Sequence, residues 1–440
     1  MSGVNLFYFL LTIIIASCNA SAGEDQKLQK NQNTTQNNLP PPYQTKSAVK
    51  FSKVIGWSSD EIPVAPEGFI VSRFASGLKS PRNIYVLENG DVLIAQANTE
   101  SKGASKVVDA VTRRVKSQHT QGSPDQVTLF RDTNKDGTYE FSEVFVEGIK
   151  QPFGMVLIGN HFYVAATDAV YKYEYKKGDT KLSSSPVKIT DLPAGGYNNH
   201  WTRNLITNRD ESKIYIAVGS GTDHAEKGMD VEIRRANILE INPDGTEERI
   251  YASGLRNPVG MDWYPGTNTL WTAVNERDKL GDHLVPDYLT SVKEGGFYGW
   301  PYSYFGQHPD PRIKEKDQKP ELIKKAIVPD VPLGSHTASL GLAFYDAQQF
   351  PVKYHNGAFI AQHGSWNSSV LVGYKVVFVP FRNGNPAGPP EDFLTGFLVN
   401  KKGREVHGRP VGLAILPDGS LLVSDDGAGV IWRVSYKKKK

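Results

Sequence analysis

Six times along the chain an apolar stretch of alternating pattern runs into a polar or Gly-containing turn and then into a second apolar stretch. The instances are PRNIYVLENGDVLIAQ from Pro81, PFGMVLIGNHFYVAAT from Pro152, TRNLITNRDESKIYIAVG from Thr202, NPVGMDWYPGTNTLWTAV from Asn257, LGLAFYDAQQFPVKYHNGAFIAQ from Leu340 and RPVGLAILPDGSLLVSDD from Arg409. Period-two alternation broken by Asn-Gly, Asp-Gly or Pro-Gly is a hairpin signal. Most instances continue into a third strand, such as AVYKYEY after Asp168, NILEINPDG after Ala236 and VIWRVS after Gly429. The mean spacing, (409 − 81)/5, is about 66 residues, above the ~40–50 of a compact blade, so long loops are inserted. Long helical periodicity is absent. The pattern predicts an all-β chain, a six-bladed β-propeller with long inter-strand loops. Two packed sandwiches are the alternative, which six similar units disfavour. GFIVSRFA (68–75) is predicted to complete the last blade and close the ring. A site in such a fold lies at the central channel, on the face where the long inserts gather.

The first residues read differently. VNLFYFLLTIIIAS (4–17) is an apolar run shorter than the ~20 residues of a membrane span and reads as a signal-peptide core. It ends in Ile15-Ala16-Ser17-Cys18, which resembles a bacterial lipobox and implies cleavage before Cys18 and acylation of its thiol; plain secretion with a stray Cys is the alternative. Residues 18–50, rich in Asn, Gln, Ser, Lys and Pro, offer little apolar surface to offset ordering entropy and are expected to be a flexible tether. The expected organisation is a signal peptide over 1–17, the tether over 18–50, the propeller over 51–436 and a basic tail over 437–440. This implies an extracytoplasmic protein, lipid-anchored to a bacterial membrane and exposed in the periplasm or on the cell surface.

Composition narrows the classes. Gly and Pro total 41 + 27 = 68 of 440 residues, below the ~25–30% of a low-complexity chain. A net charge of 50 − 47 = +3 gives no sign of nucleic-acid binding. One Cys excludes an intramolecular disulfide and any Cys-based zinc or iron–sulfur site. No Gly-rich phosphate loop, G-x-S-x-G elbow or CxxCH motif is present.

Candidate chemistry clusters at the starts of the repeats. His200, in NHWTRN, precedes the third repeat and is predicted to face the channel; a lone His is as readily structural. Arg256 and Asn257 precede the fourth repeat. Arg82 and Arg409 stand at the matching place in the first and sixth, so that the three arginines occupy equivalent blade starts. An unpaired buried guanidinium is costly, so each Arg either pairs with a neighbouring carboxylate or, if all converge on one axis, they meet an anionic ligand. Convergence favours the ligand. Trp366 and Asn367 are further channel candidates by position.

The stretches HWTRNL (200–205), YASGLRNPVG (251–260), TAVNERDKLGDHLVPDYLTSVKEGGFYGWPYSYFGQ (272–307), LGSHTASLGLAFY (333–345), AFIAQHGSWN (358–367) and GRPVGLAILPDGSLLVSDD (408–426) together resemble the pyrroloquinoline-quinone-dependent sugar dehydrogenases, the glucose and sorbosone dehydrogenase group with the related pyranose dehydrogenase propellers. The likeness is greatest to the sorbosone-type branch. It implies oxidation of an aldose, a pyranose or a sorbosone-like sugar at C1, with pyrroloquinoline quinone and Ca²⁺ as cofactors and an external quinone or cytochrome as electron acceptor. By the same resemblance His200 is the general base, Arg256 and Asn257 are the cofactor-binding pair, Arg409 is a second cofactor Arg, and Thr337 is a hydroxyl donor. A further Arg of the family pattern is Val411 here. His363 stands where the glucose-type branch has Lys. Arg203 and Asn204 are secondary contacts to cofactor or substrate, and Arg82 and Asn367 complete the cofactor candidates. The cofactor Ca²⁺ falls to the loop Asn275-Glu276-Arg277-Asp278, largely through backbone carbonyls, with Glu276, Arg277 and Asp278 as the named positions. Asp282, His283 and Asp287, and the aromatics of GGFYGWPYSYFGQ (295–307), shape the substrate pocket or pack between blades.

A second ion site reads from spacing alone. Asp132, Asn134, Asp136, Gly137 and Glu143 fit D-x-N-x-D-G-x5-E. The flanks DQVTLF and YEFSEVFVEG look like strands, so this is a structural Ca²⁺ loop between strands or an ordinary acidic turn. Two other functions stay open: a propeller binding module without catalysis, and a Ca²⁺-dependent lactonase-type hydrolase, which would want acidic rather than cationic blade starts.

Overall fold

The computed structural model describes residues 39–100 and 122–437, and the folded unit begins at Pro42. Cys18 and the signal segment lie outside the described residues. Six four-stranded antiparallel sheets follow one another along the chain. Blade 1 is Pro81–Val86, Val92–Gln96, Gln126–Arg131 and Phe141–Glu147; blade 2 is Met155–Ile158, His161–Ala165, Ala169–Glu174 and Val187–Asp191. Blade 3 is Arg203–Thr207, Ile214–Val218, Asn237–Ile241 and Arg249–Ser253; blade 4 is Pro258–Trp263, Leu270–Val274, Pro286–Ser291 and Val331–Ser335. Blade 5 is Ser339–Phe344, Ala358–Gln362, Lys375–Val379 and Glu391–Leu394. Blade 6 takes Pro410–Ile415, Leu421–Asp425 and Val430–Tyr436, and its outer strand is Phe69–Ala75 from the start of the fold, paired Phe69 to Tyr436. The six-bladed propeller and its closing strand are as the repeats predict.

Second strands such as Val92–Gln96 and Ile214–Val218 are buried at every residue. They are sandwiched between neighbouring blades, which is why they read as continuous apolar runs rather than alternating ones. Leu93, Ala95 and Phe145 of blade 1, for example, share one core with Phe162 and Val164 of blade 2.

The inner strands meet at one register. Equivalent positions of the six first strands are Asn83, Gly154, Asn204, Gly260, Gly341 and Gly412. A Cβ on Gly154 would lie 2.3 Å from Leu205 N, on Gly260 2.5 Å from Leu340 O, on Gly341 2.2 Å from Val411 O, and on Gly412 2.2 Å from Arg82 O. Each glycine thus lets its strand touch the backbone of the next blade. The two asparagines bridge instead: Asn83 Nδ2 donates to Phe153 O at 3.1 Å and Asn204 Nδ2 to Val259 O at 2.7 Å. One residue before this ring, Phe153, Val259, Leu340 and Val411 of four blades form a single buried cluster. The channel is plugged there, and this plug is the floor beneath the site.

Three expectations are corrected. Residues 42–50 are not a tether: Tyr43 N donates to Leu280 O (2.8 Å), Asp282 N to Thr45 Oγ1 (2.7 Å) and Lys50 N to Trp366 O (2.8 Å). They form a strap that leads into the short parallel pairing of Lys53–Val54 with Glu405–Val406. Arg82 and Arg409 do not share a register, because Pro81 matches Pro410, so Arg82 matches Val411 and Arg409 matches Ser80. The 132–143 loop is a self-bonded turn. Asp132 and Asp136 accept the backbone N–H groups of Gly137 and Thr138 at 2.7 Å, Glu140 rather than Glu143 reaches back to Thr133, and Glu143 is fixed in a strand opposite Leu129. The loop therefore lacks the convergent carboxylates of an ion cage.

Gly412→Val should force the blade 6 and blade 1 inner strands apart and destabilise the protein by about 1–3 kcal/mol, the usual cost of overpacking. Chemical denaturation with an unchanged slope checks this.

Candidate active site

First strands begin, and second strands end, on one face of the propeller, so His200, Arg256, Asn257, Thr337, His363 and Arg409 all arrive there. The longer loops of that face follow the second strands: 219–236 in blade 3, 275–285 in blade 4 and 363–374 in blade 5. The insertion between the outer strands of blade 4, residues 292–330, climbs the outer edge of blade 3, where Ser253 N donates to Gly296 O and Tyr298 N to Ser253 O, both at 2.9 Å. It carries the helix Pro320–Lys325 and brings Arg312 and Asp310 to the site.

His200 Nδ1 lies 2.7 Å from Ser220 O and 3.1 Å from Ser220 Oγ. A carbonyl only accepts, so Nδ1 carries the proton and Nε2 keeps its lone pair. Ser220 N in turn donates to Arg256 O at 2.7 Å, which ties the base to the Arg–Asn pair. Gly219 is required at this junction, since a Cβ there would lie 2.3 Å from Asn257 Oδ1 and 2.6 Å from His200 Cβ. Burial and the Arg256 cation push the His200 imidazole down to about 3. It is neutral at physiological pH and available as a base.

The arginines converge, but each already has a carboxylate. Arg256 Nη2 meets Asp223 Oδ1 at 2.7 Å, and its Nη1 donates to Glu276 O at 2.7 Å and Asn275 Oδ1 at 3.0 Å. Arg82 and Arg409 share Asp426, at 2.5 and 3.0 Å, and His363 Nε2 joins them at 3.0 Å. The expectation that these cations await an anionic ligand for want of a partner is therefore overturned. Burial opposes the charge on Asp426, yet Arg409, His363 and Arg82 hold it well below the usual carboxylate range. Asp223 behaves alike under Arg256 and Arg312. His363 is pushed down to about 4, first by burial.

An alternating chain of buried charges extends from this point. Asp223 Oδ2 accepts Arg312 (3.0 Å), Arg312 pairs with Asp310 (2.7 Å), Asp310 with Arg277 (2.9 Å), and Arg277 with Glu276 (2.9 Å). Arg277 is fully buried and raised further by Glu276 and Asp310 against the opposing effect of burial. Its guanidinium occupies Glu276 Oε2, while Asp278 faces Arg256 at 3.8 Å and His336 at 3.4 Å. The side chains of Glu276, Arg277 and Asp278 thus do not converge on an ion, and of the loop's backbone carbonyls, to which the resemblance mainly assigns it, those of Asn275 and Glu276 accept Arg256 Nη1 and that of Asp278 accepts Arg312 Nη1. Among the described residues no group of three His, Cys, Asp or Glu side chains is placed to hold a metal ion.

Other candidates also have structural duties. Arg203 is wholly buried and donates to His200 O (2.7 Å), Thr202 O (2.9 Å) and Pro193 O (2.6 Å). It shapes the loop that presents His200 rather than contacting a cofactor. Asn204 belongs to the inner ring. Thr337 Oγ1 donates to Asp287 Oδ2 at 2.9 Å, and burial pushes the Asp287 carboxyl up to about 6. Asn367 accepts Lys279 N and donates to Ala48 O, both at 2.8 Å, so it clamps the strap. Trp366 stacks on Phe51 of that strap at 5.9 Å. Asp282 caps it at Thr45, and His283 is exposed.

Asp223, Asp310, Arg312 and Asp426 went unread in the sequence. Asp426 ends the quoted LLVSDD, where its role had a signal. Asp223 lies 33 residues from Arg256 and no local pattern joins them.

Arg82 Nε, Asn257 Oδ1 and Glu276 Oε1 are among the buried polar atoms that lack a partner. Buried polar groups are rarely left so. A free guanidinium N–H and a free amide acceptor suit a ligand carrying both carboxylates and an N–H, which pyrroloquinoline quinone does. The quinone fits this donor set, and Glu276 Oε1 leaves one carboxylate oxygen of the predicted calcium loop without a partner.

Comparison with known proteins bears on this site. The glucose/sorbosone dehydrogenase family profile matches residues 158–365, and a TrAA12-like profile matches 305–437. Aldose sugar dehydrogenase YliI of Escherichia coli is 26% identical over 281 residues, 59% of this chain and 68% of that protein. The chain belongs to the glucose/sorbosone dehydrogenase family. An uncharacterised protein of Borreliella burgdorferi is 31% identical over 302 residues, covering 66% of this chain and 77% of its own length. The holo pyranose dehydrogenase PQQ domain of Coprinopsis cinerea superposes with a TM-score of 0.68 over 88% of this chain and all of that one, at 20% identity, a likeness of fold.

Both His200 and His363 hold folded values below the unfolded 6.5, so the unfolded chain binds the extra protons. Stability should be full above about pH 6.5 and fall as the pH drops from there toward 3–4. Denaturation midpoints of the wild type against His200→Gln across that range check it: the variant should lose less stability on acidification.

Proposed function

We propose that this protein is a quinoprotein sugar dehydrogenase that oxidises an aldose, a pyranose or a sorbosone-like hydroxy aldehyde at C1, with pyrroloquinoline quinone as its resident cofactor. The observation that carries the proposal is the fixed tautomer of His200, with a bare Nε2 next to the Arg256–Asn257 pair on the face where the arginines converge. Family membership supports the reaction class, and the E. coli relative, named for aldoses, supports the substrate class.

The bound quinone supplies the two-electron acceptor for the hydride that leaves C1. This chain's residues do the rest. Nε2 of His200 takes the proton of the C1 hydroxyl as the hydride departs, and the product is the lactone, or the acid from a hydrated aldehyde. Ser220 O holds the ring and its tautomer. Arg256 and Arg82 direct cationic N–H groups to the site, each braced by a carboxylate, and Asn257 offers an amide. The apolar plug of Phe153, Val259, Leu340 and Val411 closes the channel below and keeps water from entering from that side. Re-oxidation falls to an external quinone or cytochrome. Calcium dependence is proposed from the resemblance alone, as is anchoring through a lipid on Cys18.

His200→Gln should leave quinone affinity nearly intact and lower turnover by roughly 10²–10⁴; unchanged turnover would remove the base. Arg256→Ala should weaken quinone binding and also leave Asp223 unpaired, so Arg256→Lys serves as the better-folded comparison. Lysine keeps the charge without the planar fork, and retention of full affinity there would contradict bidentate recognition.

A further inference from the structure

Away from the channel, the 292–330 insertion and the outer edge of blade 3 enclose a cleft of about 690 Å³, a volume in the range of small-ligand sites. Phe297, Tyr302, Leu322 and Ile327 give it apolar walls, Arg235 lines its depth and Lys325 its rim. Trp300 closes it toward the propeller axis, its Nε1 donating to Asp223 O at 3.0 Å.

Arg235 carries the argument. It is only 6% exposed, and its Nη1 donates to Asn198 Oδ1 at 2.6 Å. Its Nε–H is buried with no partner, and no carboxylate of the described residues lies within ion-pair distance. Its neighbour Arg203 shares Asn198 Oδ1, at 3.1 Å, and likewise has an unpartnered Nε–H and no carboxylate. Of the nearby acids, Glu232 spends its two oxygens on Gly221 N (2.7 Å), Thr222 N (2.9 Å) and Thr222 Oγ1 (2.5 Å), and Asp168 attracts Arg203 and pairs with Lys150 at 3.4 Å. Glu294, also on the rim, is taken by Arg249 at 2.5 Å. Arg235 is thus a buried guanidinium with an unpartnered N–H and no carboxylate of its own, an arrangement that costs folding energy unless an anion completes it. A guanidinium with a free N–H in an apolar cleft recognises a carboxylate, and the aromatic and aliphatic walls select an apolar body.

We propose that this cleft is a second binding site, separate from the axial one, for an amphipathic organic carboxylate seated on Arg235. The site goes beyond the dehydrogenase reading, and its test needs no redox cofactor.

The experiment is calorimetric titration of the protein with 2-naphthoate and with its neutral counterpart 2-naphthamide. One equivalent of 2-naphthoate should bind, roughly tenfold tighter than the amide. Arg235→Gln should lose about tenfold in affinity and the preference for the acid with it. Leu322 is 38% exposed, so Leu322→Trp fills the cleft from its rim without disturbing the core, and it should weaken binding by at least about tenfold even if the Arg235 variant fails to fold. Absence of binding up to about 10 mM, equal affinity for acid and amide, or affinity unchanged in both Arg235→Gln and Leu322→Trp would overturn the proposal; the last result would put the probe outside this cleft.

Discussion

The close approach of the six inner strands governs everything above it. Four glycines bring one strand against the backbone of the next, and Asn83 and Asn204 span the two remaining junctions with side-chain amides. Backbone contact at that level leaves room on the axis for only four apolar side chains, which plug the channel. A closed floor and strand starts fixed to within a residue decide where His200, Arg256 and Arg409 emerge. A Cβ at any of the four glycines would widen the ring, and the site residues would move with it.

Charge at the site is managed by pairing. Asp426 and Asp223 each serve at least two cations, and the chain from Asp223 through Arg312, Asp310 and Arg277 to Glu276 spends its charges on one another. Such buried pairs contribute little net stability, because desolvation offsets the Coulomb gain, but removing one member is costly. They hold guanidiniums at fixed positions before any ligand arrives. That preorganisation limits the reorganisation a bound anion requires. His200 is kept neutral by burial first and then by the neighbouring Arg256 cation, against the opposing pull of Asp223.

The fold was legible because it repeats. Turn chemistry and period-two alternation give six hairpins, and Phe69–Ala75 reads as the missing strand of the last blade. Convergence of the arginines was legible too, from their place before the inner strands. Their partners were not. Asp223 and Arg256 are joined only when the loop of blade 3 folds over, and Asp310 and Arg312 arrive on an insertion that climbs a different blade. The 132–143 loop shows the opposite failure. Its spacing matches a calcium loop, but short backbone hydrogen bonds take up the oxygens. The strap over 42–50 lacks an apolar pattern because single backbone bonds and the Phe51–Trp366 stack hold it, rather than a core face.

The most direct test is a reconstitution titration. The protein from residue 42 onward, stripped of metal, is titrated with pyrroloquinoline quinone with and without Ca²⁺, following quinone absorbance and sugar-driven reduction of a dye across aldoses, pyranoses and sorbosone. The account predicts saturable binding that responds to Ca²⁺ and dye reduction with at least one sugar. No quinone binding under either condition would contradict it.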